Sequence, residues 1–91
     1  MTEQHVSIHV EGKVQGVFFR ESTRTKAEEL LIRGNVRNLP DGRVKIHASG
    51  DEASIEALIE WCHKGPPAAR VTNVIVEEID PAQVEAFTVI R

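Results

Sequence analysis

The chain has 91 residues, which is enough for one compact domain over residues 1–91 and too few for the two-domain cleft of many larger enzymes. Its 11 Lys and Arg residues against 14 Asp and Glu residues give a net charge of −3, the wrong sign for a protein that mainly neutralises nucleic-acid phosphates. With 41% apolar and 27% charged residues, and no apolar run near the roughly 20 residues that cross a bilayer, the composition favours a soluble folded domain.

The first predicted element is a β-strand at residues 5–10, where apolar and polar side chains alternate with a period of two. Gly12 and Gly16 interrupt the next stretch, so an irregular loop is expected at residues 13–19. A helical period begins at Glu21, and the loop therefore leads directly into a helix.

This first helix carries an apolar stripe at helical spacing, formed by Thr23, Ala27, Leu30 and Leu31. Two pairs of opposite charge, four residues apart, are expected on its outer face: Arg24 with Glu28, and Glu29 with Arg33. Gly34 is expected to end the helix as a left-handed cap.

A β-hairpin is predicted next, with strands at residues 35–39 and 43–49. Pro40 and Gly42 suit the connecting turn, because proline presets φ and glycine accepts a positive φ. The second helix should follow Gly50 and Asp51, which serve as a break and an N-cap. Its buried face is formed by Ile55, Leu58, Ile59 and Cys62, with Trp61 at the edge of that face.

A cap glycine and two prolines at residues 65–67 end the second helix. Strands at residues 71–79 and 87–91, separated by a turn at Asp80 and Pro81, complete the order β-α-β-β-α-β plus a short fifth strand. Each helix has one apolar stripe and each strand one apolar face, so both helices should cover the same face of the sheet. The sequence therefore predicts an α+β, ferredoxin-like two-layer sandwich with a mixed, mostly antiparallel sheet.

The stretch GKVQGVFFR at residues 12–20 is the most informative for chemistry. Backbone N–H groups in such a turn can point into one concavity beside a helix N-terminus, and Arg20 adds a planar guanidinium there, which predicts an anion-binding loop. On spacing alone, the alternative is that the glycines only make a turn and Arg20 pairs with a surface carboxylate. The stretch is neither a P-loop nor a dinucleotide fingerprint, so a small phosphate-like group fits better than a nucleotide.

A second informative stretch is GNVRNLPDG at residues 34–42. Asn38 lies near the end of its predicted strand, where asparagine is uncommon, so the side chain either caps the turn or contacts a ligand.

The histidines are weaker candidates: His5 and His9 stand too far apart along one strand to bind a single metal ion, and only His47 keeps a metal site open. Cys62 is the single cysteine and cannot form an intrachain disulfide.

Taken together, VQGVFFR at 14–20, GNVRN at 34–38, DG at 41–42, Gly50 and GP at 65–66 resemble the acylphosphatase family along nearly the whole chain. The resemblance implies hydrolysis of small acyl phosphates to a carboxylate and inorganic phosphate, without a metal or a cofactor. It also implies that Asn38 holds the attacking water. The groups that it implies for phosphate binding are Arg20 and the backbone N–H groups of Gln15, Gly16, Val17, Phe18 and Phe19.

Two positions depart from the family pattern. Asn35 stands where many members have an aromatic residue, usually Trp, and this should alter packing or stability more than chemistry. Phe18 stands where others have glycine, which the family tolerates.

A rival hypothesis of another class is a ferredoxin-like regulatory module that binds an anion without hydrolysing it. An RNA-binding module is disfavoured, because residues 43–48 contain no aromatic side chain. We expect a monomer that binds neither nucleic acid nor membrane. A cytoplasmic location is also expected, since residues 1–4 are polar and no apolar signal segment follows.

Overall fold

The computed structural model describes residues 2–81 and 86–91. Its elements are β1 (Glu3–Lys13), α1 (Phe19–Glu29), β2 (Arg33–Asn38), β3 (Val44–Asp51), α2 (Glu52–Lys64), β4 (Arg70–Glu78) and β5 (Phe87–Ile90). The strands form one sheet in the order β4-β1-β3-β2-β5. Neighbouring strands are antiparallel except β2 and β5, which are parallel, so the predicted ferredoxin-like architecture is confirmed.

The hydrophobic core lies between the two helices and one face of the sheet. Val6, Ile8 and Val10 of β1 face it, in the alternation that predicted this strand. The helices contribute Phe19, Thr23 and Ala27 from α1, and Ile55, Leu58 and Cys62 from α2. Neither helix among the described residues has the length and hydropathy of a membrane-spanning segment.

The end of α1 differs from the prediction. The helix ends at Glu29, and Leu31 adopts a φ of 59° with its side chain 85% exposed, so it does not belong to the apolar stripe. Gly34 lies inside β2, with a φ of 145°, and is not a helix cap. A Cβ atom at residue 34 would collide with the backbone carbonyl of His47 on β3. Glycine is therefore required here by the close approach of two strands.

The charge pairs predicted for the outer face of α1 have other partners. Arg24 pairs with Glu21, three residues before it, at 3.1 Å. Arg33 belongs to β2 and pairs with Glu3 of β1. Its spacing of four residues from Glu29 therefore does not place the two side chains on one face of a helix. Both observed pairs are partly exposed, and each contributes little to stability.

Helix α2 matches its prediction closely. The carboxylate of Asp51 accepts a hydrogen bond from the Ala53 backbone N–H at 3.3 Å, and Gly65 caps the other end with a φ of 68°. Gly50 is not a break, because it continues β3 and pairs with Gln4 of β1. Burial raises the pKa of the Cys62 thiol to about 12, which keeps it protonated at neutral pH.

Replacing the N-cap of α2 tests its contribution. We expect Asp51→Ala to lower the free energy of unfolding by about 1 kcal/mol, because the Ala53 backbone N–H loses its acceptor. Urea denaturation followed by circular dichroism measures this change. Asp51→Ser retains an acceptor oxygen and should lose clearly less; equal losses in the two variants would contradict a capping role.

Candidate active site

The predicted anion-binding loop lies between β1 and α1 and has an unusual backbone. Gly16 has a φ of 74°, and Phe18, the residue that precedes α1, has φ 63° and ψ 24°. A left-handed phenylalanine costs roughly 1 kcal/mol or more, and such residues persist where the surrounding structure holds them, often at functional sites. Phe18 provides no side-chain cap, and no side chain of residues 2–81 or 86–91 accepts from the first N–H groups of α1, so this helix end can bind an anion.

Gln15 ties this loop to the β2–β3 hairpin. Its side-chain Nε2 donates hydrogen bonds to the backbone carbonyls of Leu39, at 2.7 Å, and Arg43, at 2.9 Å. These bonds hold the loop beside the end of β2, where Asn38 lies. The Gln15 side chain therefore has a structural role that the sequence did not indicate.

Arg20 and Asn38 come from different elements and are both held near the loop. Arg20 lies in the first turn of α1, half-buried, and its Nη1 donates to the backbone carbonyl of Ile90 on β5 at 3.2 Å. Asn38 is the last residue of β2, and its Oδ1 is buried without a hydrogen-bond partner in the described part of the chain. Since buried acceptors almost always have a donor, this oxygen is suited to accept from a water or ligand.

A cavity of about 330 Å³ brings these groups together, which is enough space for a small ligand. Its lining residues are Val14, Gly16, Phe18, Phe19, Arg20, Glu21, Asn38 and Arg91. Gln15 and Val17 do not line it; the Val17 side chain is buried, and the phosphate-binding role of the backbone N–H groups of residues 15–19 stays a prediction. A larger groove of about 800 Å³, beside Lys26 and Trp61, contains none of the predicted site residues.

Two residues at the cavity, Glu21 and Arg91, were missed by the sequence analysis. Their side chains form an ion pair, and Glu21 also pairs with Arg24. Glu21 and Arg91 are 70 positions apart in the chain, so no local pattern could have linked them. The Glu21 carboxylate is thus paired with Arg24 and Arg91. Arg20 forms no salt bridge within residues 2–81 and 86–91, contrary to the alternative that it pairs with a surface carboxylate.

The histidines do not assemble into a metal site in the described residues, where no three His, Cys, Asp or Glu side chains are grouped to hold an ion. His5 instead shares a hydrogen bond with the Ser49 hydroxyl at 2.8 Å. The pKa of His47 is lowered, first by burial and then by the positive charges of Lys45 and Arg37 and by His9. Such cationic surroundings disfavour binding of a metal ion at His47.

Comparison with known proteins finds a matching family and similar structures. The family model described as Acylphosphatase matches residues 6–89. An acylphosphatase from Rubrobacter xylanophilus is 54% identical over 79 residues, which cover 87% of this chain and 71% of that protein. The structure of an acylphosphatase from Coxiella burnetii matches with a TM-score of 0.93 and 50% identity, over 96% of this chain and 92% of that one. The crystal structure of acylphosphatase from Bacillus subtilis matches with a TM-score of 0.92 and 32% identity, over 99% and 100% of the two chains.

Proposed function

Since the chain belongs to the acylphosphatase family, we propose that it hydrolyses small acyl phosphates at the cavity lined by Arg20 and Asn38. The proposal is carried by two groups, from Arg20 and Asn38, that line one cavity beside the loop. Among the described residues, the Arg20 guanidinium has no carboxylate partner, and the buried Asn38 Oδ1 has no hydrogen-bond donor. A dianionic phosphate and a water molecule supply the two partners that these groups lack.

Arg20 binds the phosphoryl group together with the N–H groups of the loop. The bond from its Nη1 to the Ile90 carbonyl fixes the plane of the guanidinium, and the remaining N–H groups face the phosphoryl oxygens. The open N-terminus of α1 adds a partial positive charge at the same place. Donors that are fixed before the substrate arrives stabilise charge on the phosphoryl oxygens in the transition state without reorganisation.

Asn38 orients the water that attacks phosphorus. Its Oδ1 accepts a hydrogen bond from one water O–H, which directs a lone pair of the water oxygen at the phosphorus atom. A bond forms between the water oxygen and phosphorus, the bond from phosphorus to the acyl oxygen breaks, and the carboxylate leaves with the electron pair. An amide is not a base, so the water proton passes to a phosphoryl oxygen of the substrate.

The leaving group explains why so few residues are sufficient. A carboxylate is a weak base and leaves without help from a general acid, so catalysis consists of positioning and charge stabilisation. Positive charge comes from Arg20 and the helix terminus, and the proposed mechanism uses no metal ion. We keep the prediction that the enzyme is a monomer, which light scattering in solution tests. We also keep the prediction that the enzyme acts in the cytoplasm.

Turnover of a synthetic acyl phosphate tests the proposal directly. We expect the protein to release inorganic phosphate from benzoyl phosphate, with inorganic phosphate as a competitive inhibitor, because substrate and product share the anion site. Treatment with EDTA should leave the rate unchanged. If benzoyl phosphate competed with inorganic phosphate for binding but was not hydrolysed, the result would support the anion-binding regulatory module instead. Loss of activity with EDTA would indicate a metal-dependent reaction.

A further inference from the structure

Phe19 connects the proposed phosphate site to the far end of α2. It is the first residue of α1, directly before Arg20, and it lines the cavity. Its ring points away into the core, where it is 1% exposed and packs against the ring of Trp61, with centroids 5.4 Å apart and an angle of 56°. The position of this ring therefore affects the first turn of α1, which carries Arg20.

Gly65, the residue that ends α2, leaves the space that the Phe19 ring needs. A Cβ atom at residue 65 would lie 2.7 Å from Cε2 of Phe19 and 3.3 Å from the Cβ of Ala69. Carbon atoms in contact are normally about 3.5–4.0 Å apart, so either the ring or the helix end would have to move. Because the ring is almost fully buried in a close-packed interior, it has little room to yield.

The displacement would reach Arg20 through a short path. The Phe19 backbone carbonyl accepts a hydrogen bond from the Thr23 hydroxyl at 2.7 Å, which ties the residue to the next turn of α1. Arg20 is held to the Ile90 carbonyl by a bond of 3.2 Å, near the upper limit for a hydrogen bond. A shift of the first turn by a few tenths of an ångström would thus weaken the contact that orients the guanidinium.

We propose that Gly65 is a positioning residue for the phosphate site. Because Gly65 has no side chain, the Phe19 ring can pack against it, and the position of Phe19 in turn sets the position of Arg20. This inference rests on the proposed function, in which Arg20 binds the phosphoryl group. Gly65 does not line the cavity of the proposed site and acts only through Phe19.

Gly65→Ala tests the inference, with Gly42→Ala as a matched control. Both glycines have a positive φ, of 68° and 96°, but a Cβ at Gly42 meets nothing within 4 Å. The control therefore carries the backbone strain without the collision. We expect Gly65→Ala to lower kcat/KM for benzoyl phosphate by about 10- to 100-fold and to weaken binding of inorganic phosphate, measured by calorimetry. Gly42→Ala should keep both values close to those of the unsubstituted protein, with a smaller fall in the urea midpoint than Gly65→Ala, because it adds strain without a collision.

A second substitution distinguishes positioning from general damage. Phe19→Leu removes the atoms that collide, so adding Gly65→Ala to Phe19→Leu should weaken phosphate binding much less than Gly65→Ala does alone. Equal phosphate affinities in Gly65→Ala and Gly42→Ala, or an equal loss from Gly65→Ala with and without Phe19→Leu, would overturn the inference. If Gly65→Ala does not fold, Trp61→Leu removes the other group at the end of α2 that packs against the Phe19 ring, and unchanged phosphate affinity in that variant would overturn the inference. Phosphate binding is measured without turnover, so absence of hydrolysis by the unsubstituted protein would reject the proposed function alone.

Discussion

Arg20→Ala is expected to lower kcat/KM for benzoyl phosphate by about 10³-fold or more, because the main positive charge at the phosphoryl oxygens is lost. Binding of inorganic phosphate should weaken with it, since Arg20 contacts substrate and product alike. Initial rates of phosphate release and the inhibition constant of phosphate measure the two effects. The fold should survive, because the side chain is only half-buried and the one hydrogen bond that it makes to the described residues, to Ile90, contributes about 1 kcal/mol.

Arg20→Lys separates charge from geometry at the same position. A lysine keeps the charge, but a single ammonium group cannot reproduce a planar fork that donates to the Ile90 carbonyl and to two phosphoryl oxygens at once. We expect a loss of about 10²-fold or more even in this variant. Arg70→Ala, at an exposed position of β4, is the control and should keep full activity. Retained activity in either Arg20 variant would reject the assignment of Arg20.

Asn38→Ala should reduce kcat by about 10²-fold or more while leaving the inhibition constant of inorganic phosphate nearly unchanged. This separation follows from the proposed division of labour, in which Asn38 positions water and Arg20 binds phosphate. The buried Oδ1 that has no partner in the described residues is the atom that the substitution removes. Steady-state kinetics with increasing inorganic phosphate measure both quantities in one experiment.

Two further variants of β2 sharpen this test. Asn38→Asp keeps an acceptor at the same place but adds a negative charge near the dianion, so it should weaken phosphate binding as well as turnover. Asn35→Ala removes an amide from the opposite face of the same strand, where residue 35 pairs with His47, and should leave kcat unchanged. If Asn38→Ala weakened phosphate binding as much as Arg20→Ala does, Asn38 would be a phosphate ligand rather than a water-positioning residue.

The elements that bury one face could be predicted because burial leaves a local period in the sequence. The alternation in β1 and the stripe of Ile55, Leu58 and Cys62 in α2 are of this kind, and the structure confirms both. Local spacing failed at the end of α1, where Leu30 and Leu31 fit a helical stripe but the chain leaves the helix at Glu29. Pairing of β2 with β3 and β5 decides that boundary, and it also explains why Gly34 is a strand residue.

The sequence by itself therefore determined the order of the elements, the fold class and, through its two motifs, which residues to test. Only the tertiary structure decided which groups meet: Gln15 with the hairpin, Arg20 with Ile90, Glu21 with Arg91, and Phe19 with Gly65. The physical reason is that periodicity records each residue's own burial, whereas these contacts join residues far apart in the chain. Two of them, Arg20 with Ile90 and Glu21 with Arg91, exist only once β5 lies beside β2.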